Sequence, residues 1–229
     1  MEIVFTNMSD FAELEPPRPA SEFIPDWYKK MESYVGGEKK PGGDAATLAT
    51  IKRCMPVFDS LTAGYIISTP ADVWVTINEE DGSHHYEWRN FGLISFHPVN
   101  QAPTYPKASG FSYPKFNNLW GVRTPKGYSS LFVAPFHREG IFTILPGIVD
   151  TDEYYAPVNF PFQINDRSFE GLIPAGTPIA QVIPFKRDNW KMRYGDLQDF
   201  QDTATNGVKL NTKFFDRYKH FFRSIKEYK

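Results

Sequence analysis

The sequence predicts a mainly β protein with a helical arm before the strands and an amphipathic helix after them. Three observations carry this reading. Aromatic residues make up 16% of the 229 positions and prolines number 19, a mix that suits many short strands joined by turns. Short β-rich runs recur between Tyr65 and Pro184, each bounded by Pro, Gly, Asn or Asp. Towards the end, Tyr218, Phe221, Phe222 and Ile225 fall at helical spacing after Asn211 and Thr212, either of which can cap a helix.

Residues 1–60 read as an arm with short helices. Pro16, Pro17 and Pro19 keep their stretch extended, because proline lacks a donor and biases its predecessor away from the helix. Pro25 suits a first helical position, so a short helix is expected through Asp26, Trp27, Tyr28 and Met31, ending by Gly36 and Gly37. Residues 38–43 read as a flexible linker. Asp44 can cap a second helix over 45–54, interrupted at Pro56, with a further turn to Leu61 and Gly64 as its stop.

Residues 61–190 are expected to form the β body. Strands over 65–68, 72–77, 86–89 and 92–97 read as a meander, and others follow over 130–134, 140–145, 156–164 and 178–184. The polar and aromatic stretch 101–126 reads as one long loop. Residues 191–229 are expected to be a linker and the C-terminal helix. That helix would dock its aromatic stripe on the body, on a neighbouring subunit or on an acidic partner, with Lys219, Arg223 and Lys226 on its solvated face.

Composition excludes several classes. A formal charge of -2 and a pI near 6.2 leave no global basic field for general nucleic-acid binding. Cys54 is the single cysteine, so no intrachain disulfide or cysteine-rich zinc site forms, and a reducing compartment is expected. On an apolar helix face it reads as a small core residue. No stretch approaches the 18 apolar residues of a membrane span. A cytoplasmic protein is the expectation, or a virion-associated one if the chain is phage-encoded.

The residues that say most about function are Pro146-Gly147-Ile148-Val149-Asp150-Thr151-Asp152-Glu153-Tyr154 and, one strand later, Ile173-Pro174-Ala175-Gly176-Thr177-Pro178-Ile179-Ala180-Gln181-Val182-Ile183. Gly147 and Gly176 stand at strand ends, where a positive φ lets a hairpin reverse without a Cβ clash. In the buried strand expected over 179–183, Gln181 is the one polar side chain and needs a hydrogen-bond partner. This pair resembles the third and fourth motifs of the dUTPase and dCTP-deaminase superfamily. Residues 62–68 resemble the first motif, and 124–130 fall where the second would stand. The resemblance spans residues 61–185 and implies a dUTPase-like β-clip, antiparallel and barrel- or sandwich-like, assembled as a homotrimer with ligand sites shared between subunits. The flanking 24–30 and 50–56 also resemble an uncharacterised family of tailed-phage and bacterial proteins.

The resemblance also exposes departures. Ile66 stands where nucleotide-hydrolysing members carry an acidic residue, and an isoleucine cannot bind magnesium or orient water. Lys126 takes the phosphate-binding position of the second motif. Asp150 resembles the water-activating base, but Glu153 stands in place of the nucleoside-stacking tyrosine, with Tyr154 one residue late; a one-residue slip in a strand turns a ring to the opposite face. The glycine-rich fifth motif is missing, and Pro157 and Val158 replace the catalytic glutamate of the deaminase branch.

The expected function is therefore that of a non-catalytic, homotrimeric structural or interaction component without cofactor, with the C-terminal helix open to a protein partner and no membrane association. The alternative is a divergent nucleotide-binding protein or nucleotide pyrophosphatase. In it Asp150 is the catalytic base, Lys126 and Ser129 hold phosphates, Tyr154 or Tyr155 stacks on the base, Gln181 adds a ligand contact, and magnesium enters only with the nucleotide. Asp150, Asp152 and Glu153, with Asp166 nearby, also form an acidic turn of the kind that binds a hard cation, although a solvated turn needs the same residues.

Overall fold

The computed structural model describes residues 1–10, 14–37, 49–89, 92–101, 113–211 and 218–229. The chain divides into two compact units, one of Met1–Pro25, Leu61–Arg187 and Tyr228–Lys229, the other of Asp26–Ser60 and Asp188–Glu227.

The first unit is antiparallel β throughout. Its five-stranded sheet runs in the order β11 (Gly147–Val149), β9 (Tyr128–Val133), β14 (Pro178–Lys186), β3 (Tyr65–Ser68), β2 (Arg18–Pro19). A four-stranded sheet runs β10 (Phe142–Ile144), β12 (Phe160–Ile164), β7 (Tyr113–Phe116), β6 (Ile94–His97). A three-stranded sheet runs β13 (Gly171–Ile173), β4 (Val73–Ile77), β5 (His84–Trp88), and β1 (Val4–Asn7) pairs with β8 (Trp120–Arg123). Among the described residues these sheets do not close into a barrel.

Alternation decides which faces meet. On β12, Phe160, Phe162 and Ile164 are buried while Pro161 and Gln163 are not, the period of two that puts every second side chain on one face. Phe162 stacks on Phe116 at 4.2 Å and meets Phe142 and Tyr86 edge-on at 5.6 Å. Offset and edge contacts of this kind add to the burial of the rings themselves. β14 is buried on both faces from Ile179 to Val182, because it lies between β9 and β3 as the central strand of its sheet.

Several local expectations are corrected. The run β3 to β6 is not a meander: only β4 and β5 form a hairpin, while β3 pairs with β14 and β6 with β7. The stretch 101–126 contains β7 and β8, its residues 102–112 lying outside the described ones. The arm enters the sheets through β1 and β2. Gly147 has no positive φ and lies within β11, whereas Gly176 has φ +81°.

In the second unit, α1 (Asp26–Lys30) stops earlier than expected. The expected second helix is displaced: residues 38–48 lie outside the described ones, 51–53 make one 3-10 turn, and α2 runs over Met55–Thr62 with Pro56 in its first turn. A proline near the start of a helix removes only a donor that has no partner there. Cys54, at the N-terminal edge of α2, is exposed rather than packed in a core.

The C-terminal helix is also displaced. The long helix is α3 (Leu197–Asn211), and of the expected segment the described part forms one turn at Tyr218–Phe222, with 212–217 outside the described residues. α3 begins where it does because the Asp199 N–H donates to the Asp196 carboxylate (3.0 Å) and the Asp196 N–H donates to the Asp199 carboxylate (2.9 Å), a reciprocal cap. The final segment is held by a cation from the face expected to be solvated: Arg223 donates twice to Oδ1 of Asp59 (2.9 and 2.6 Å) and lies over the Phe58 ring. Phe221 and Ile225 remain exposed. Among the described residues no helix is long and apolar enough to cross a membrane.

Candidate functional site

Two turns, one before β9 and one after β11, meet because β9 and β11 pair with Val149 opposite Ser130. The hydroxyls of Thr124, Thr151 and Ser130 form a buried chain, with Thr124 and Thr151 2.7 Å apart and Ser130 and Thr151 2.9 Å apart. The Thr124 N–H also donates to the Thr151 carbonyl (3.1 Å). Buried hydroxyls that satisfy one another fix a geometry more firmly than exposed ones, so the acidic turn is held against the 124–130 turn.

On this base stand the charges. Ser129 donates its hydroxyl to Oδ1 of Asp150 (2.7 Å). Arg187 donates a fork to Asp152, 2.7 Å to Oδ1 and 2.5 Å to Oδ2, and also reaches Oδ1 of Asp150 at 3.1 Å and Ser129 Oγ at 3.1 Å. The Gly127 N–H donates to Asp152 Oδ2 (2.7 Å). The Asp152 side chain is 2% exposed and that of Asp150 63%. The Arg187 fork, aided by the Gly127 N–H, holds the Asp152 carboxyl at about 2, well below its ordinary value. Asp152 in turn raises the pKa of Arg187. Arg187 arrives because the β14–β9 pairing continues past Lys186: its N–H donates to the Gly127 carbonyl at 2.8 Å.

Of the residues singled out in the sequence, Ser129 and Asp150 are brought into direct contact. Lys126 is exposed on the turn before β9. Tyr154 and Tyr155 are each 52% exposed, and Arg123 lies over the Tyr155 ring at 5.9 Å. Glu153 and Tyr154 belong to a turn whose N–H groups both donate to the Asp150 carbonyl, so strand alternation does not govern which way they face. Gln181 is buried in β14, its NH₂ donating to the Ala63 carbonyl (2.6 Å) and its oxygen accepting from the Phe136 N–H (3.0 Å). Asp166 accepts from the Ser168 N–H and hydroxyl in a separate turn. Arg187 is the residue that sequence reasoning missed. No local pattern marks it, because its partners lie 35 residues or more upstream.

Asp150 combines an engaged oxygen with an exposed side chain. A carboxylate that activates water needs a lone pair turned to that water, and here Oδ1 accepts from a hydroxyl and a guanidinium. Ile66, at the first-motif position, is 2% exposed.

No family model matches the chain, and no curated protein matches it. Among the solved structures it resembles are phage dUTPases. One, from phage phi11 of S. aureus, is 12% identical, with 86% of this chain and 97% of that one covered at a TM-score of 0.38; it is described for its coordination of a structural Mg(II) ion. Another, the dUTPase of Staphylococcus bacteriophage 80alpha, is 12% identical over 85% of this chain and 96% of that one, at a TM-score of 0.37. The residues of the present chain do not fit a magnesium ion at the acidic turn. Among the described residues no three His, Cys, Asp or Glu converge in a group able to hold a metal. The carboxylates that do converge, Asp150 and Asp152, already face a guanidinium, whose charge repels a cation.

Proposed function

We propose that this chain is a non-catalytic, homotrimeric β-clip protein that acts as a structural or interaction component, cytoplasmic, or virion-associated if phage-encoded. The observation that carries the reading is Arg187: it pairs with Asp150, the one carboxylate offered as a base, while Ile66 stands where the resemblance implies a second acid. Assembly draws support from the stretch after Arg187, where Trp190, Met192, Tyr194, Leu197 and Phe200 are 69–89% exposed. Apolar side chains clustered in this way mark surfaces that associate. Phe221 and Ile225 offer a second apolar surface to a protein partner.

Light scattering across a dilution series is expected to return a trimer mass. The combined variant Trp190→Ser, Tyr194→Ser, Phe200→Ser is expected to return monomer mass with an unchanged β signature in circular dichroism. Wild-type monomer at every concentration would rule the reading out.

A second reading, nucleotide binding with Asp150 as base and Lys126 and Ser129 on the phosphates, draws on the half-exposed Tyr154 and Tyr155 beside Arg123; Gln181, buried with both amide ends bonded to the backbone, drops out of it. Under it, a nucleoside triphosphate at 100 times its Kd adds about 2.7 kcal/mol of stability, and Asp150→Asn abolishes pyrophosphate release. The proposed function predicts neither turnover nor a thermal shift across a panel of nucleoside triphosphates.

A further inference from the structure

Between β9 and β10 the chain makes a loop over residues 135–139 whose conformation is imposed from the core. His137 has φ +55°, the left-handed region that a residue with a Cβ rarely adopts and that recurs where a site must be pre-shaped. One residue before it, the Phe136 N–H donates to the oxygen of Gln181, and the NH₂ of Gln181 is held by the Ala63 carbonyl. Gln181 is 1% exposed on the central strand. A polar side chain in that position costs stability unless its bonds are made, and one of those bonds fixes this loop.

The residue that the loop presents is Arg138. It is half-buried, and burial lowers its pKa from the ordinary guanidinium value. Among the described residues it has no carboxylate and no hydrogen-bond acceptor. The other partly buried arginines among the described residues have partners: Arg223 has Asp59, and Arg53 lies over the Tyr34 ring at 4.8 Å. Partly desolvated cations are ordinarily paired. A guanidinium fork offers two parallel N–H donors that match the oxygens of a phosphate or a carboxylate.

We infer that the 135–139 loop is an oxyanion-binding site in which Arg138 receives a phosphate or carboxylate group, with Gln181 and His137 as positioning residues. Arg138 supplies charge and fork. Gln181 and the left-handed His137 keep the loop in the shape that presents them, so little order has to be gained on binding.

The test is a titration of the full ¹⁵N-labelled chain with sodium phosphate and, separately, sodium acetate, each against sodium chloride at equal ionic strength, following the arginine Nε–H signals. The signal absent from Arg138→Gln identifies Arg138. A saturable shift of that signal beyond the chloride control is expected with phosphate, with acetate or with both, and which anion produces it names the source of the oxygens. Arg138→Lys, which keeps the charge without the fork, is expected to bind at least about tenfold more weakly. His137→Gly, free to adopt the same φ, is expected to raise Tm while weakening anion binding several-fold. Shifts no larger than those in chloride, or unchanged affinity in Arg138→Lys, would overturn the site; unchanged affinity in His137→Gly would overturn the role given to the loop's shape.

Discussion

Arg187→Met lowers the Tm of the chain, by on the order of 5 °C, and it does so unequally across pH. The substitution keeps most of the side chain's apolar length and removes the fork from Asp152, whose carboxylate is then left with the Gly127 N–H. In the wild type the Asp152 pKa is depressed to about 2 from an ordinary 3.8. A depressed carboxyl pKa contributes stability above the unfolded value and loses it as pH falls through the folded value. The wild type therefore loses stability between about pH 4 and pH 2, and the variant, which never had that contribution, loses less. Melting curves in closely spaced buffers show the two Tm values converging towards pH 2. A gap as wide at pH 2 as at pH 7 would mean that Arg187 acts by packing alone. The same variant probes the proposed lack of catalysis: freeing Asp150 from the guanidinium is not expected to create turnover, because Ile66 still stands where an acid is needed.

Gly64→Ala is the more severe change. Gly64 has φ +70°, and a Cβ built there lies 1.9 Å from the Val182 carbonyl oxygen, part of the central strand. Relief requires β3 and β14 to separate, which breaks the ladder from Tyr65 to Ser68 and disturbs the Ala20 N–H, which donates to the Gly64 carbonyl. The expected loss exceeds about 4 kcal/mol, the exceptional range for one substitution, and shows as insoluble protein or a missing cooperative transition. Gly176→Ala is the control. Its φ is +81°, yet the nearest atom to a new Cβ is a Glu15 carboxylate oxygen at 3.9 Å, so it bears only the left-handed backbone cost of roughly 1–2 kcal/mol. Equal losses in the two variants would show that conformation, and not the close approach of β14, makes Gly64 necessary.

The strands Tyr65–Ser68 and Phe160–Ile164, the latter inside the expected 156–164, were readable because β-rich runs between turn residues are a local pattern, present before any partner is known. The reciprocal cap of α3 was equally local, Asp196 followed three residues later by Asp199, but it was overlooked because the aromatic spacing further on gave a stronger helical signal. Within the single chain Phe221 and Ile225 are exposed, while Arg223 makes the contact with Asp59.

The acidic turn divides in the same way. Asp150, Ser129 and Lys126 could be picked out because each lies in a short motif with its neighbours. That Asp150 would pair with a cation could not, since that depends on a guanidinium 37 residues downstream. Arg187 reaches it only through the six-residue pairing of β14 with β9. Gln181 announced a need for partners, being polar in an apolar strand, but not that they would be two backbone groups, at Ala63 and Phe136.

Composition and short β-rich runs between turn residues were thus enough to define a mainly β protein, since both depend on forces acting within a few residues, and the motif resemblance marked the turns where chemistry would sit. The pairing of strands far apart in the chain settled which of those turns met and which cation arrived between them. A sheet brings remote residues to within hydrogen-bonding distance through ladders that no short window of sequence contains.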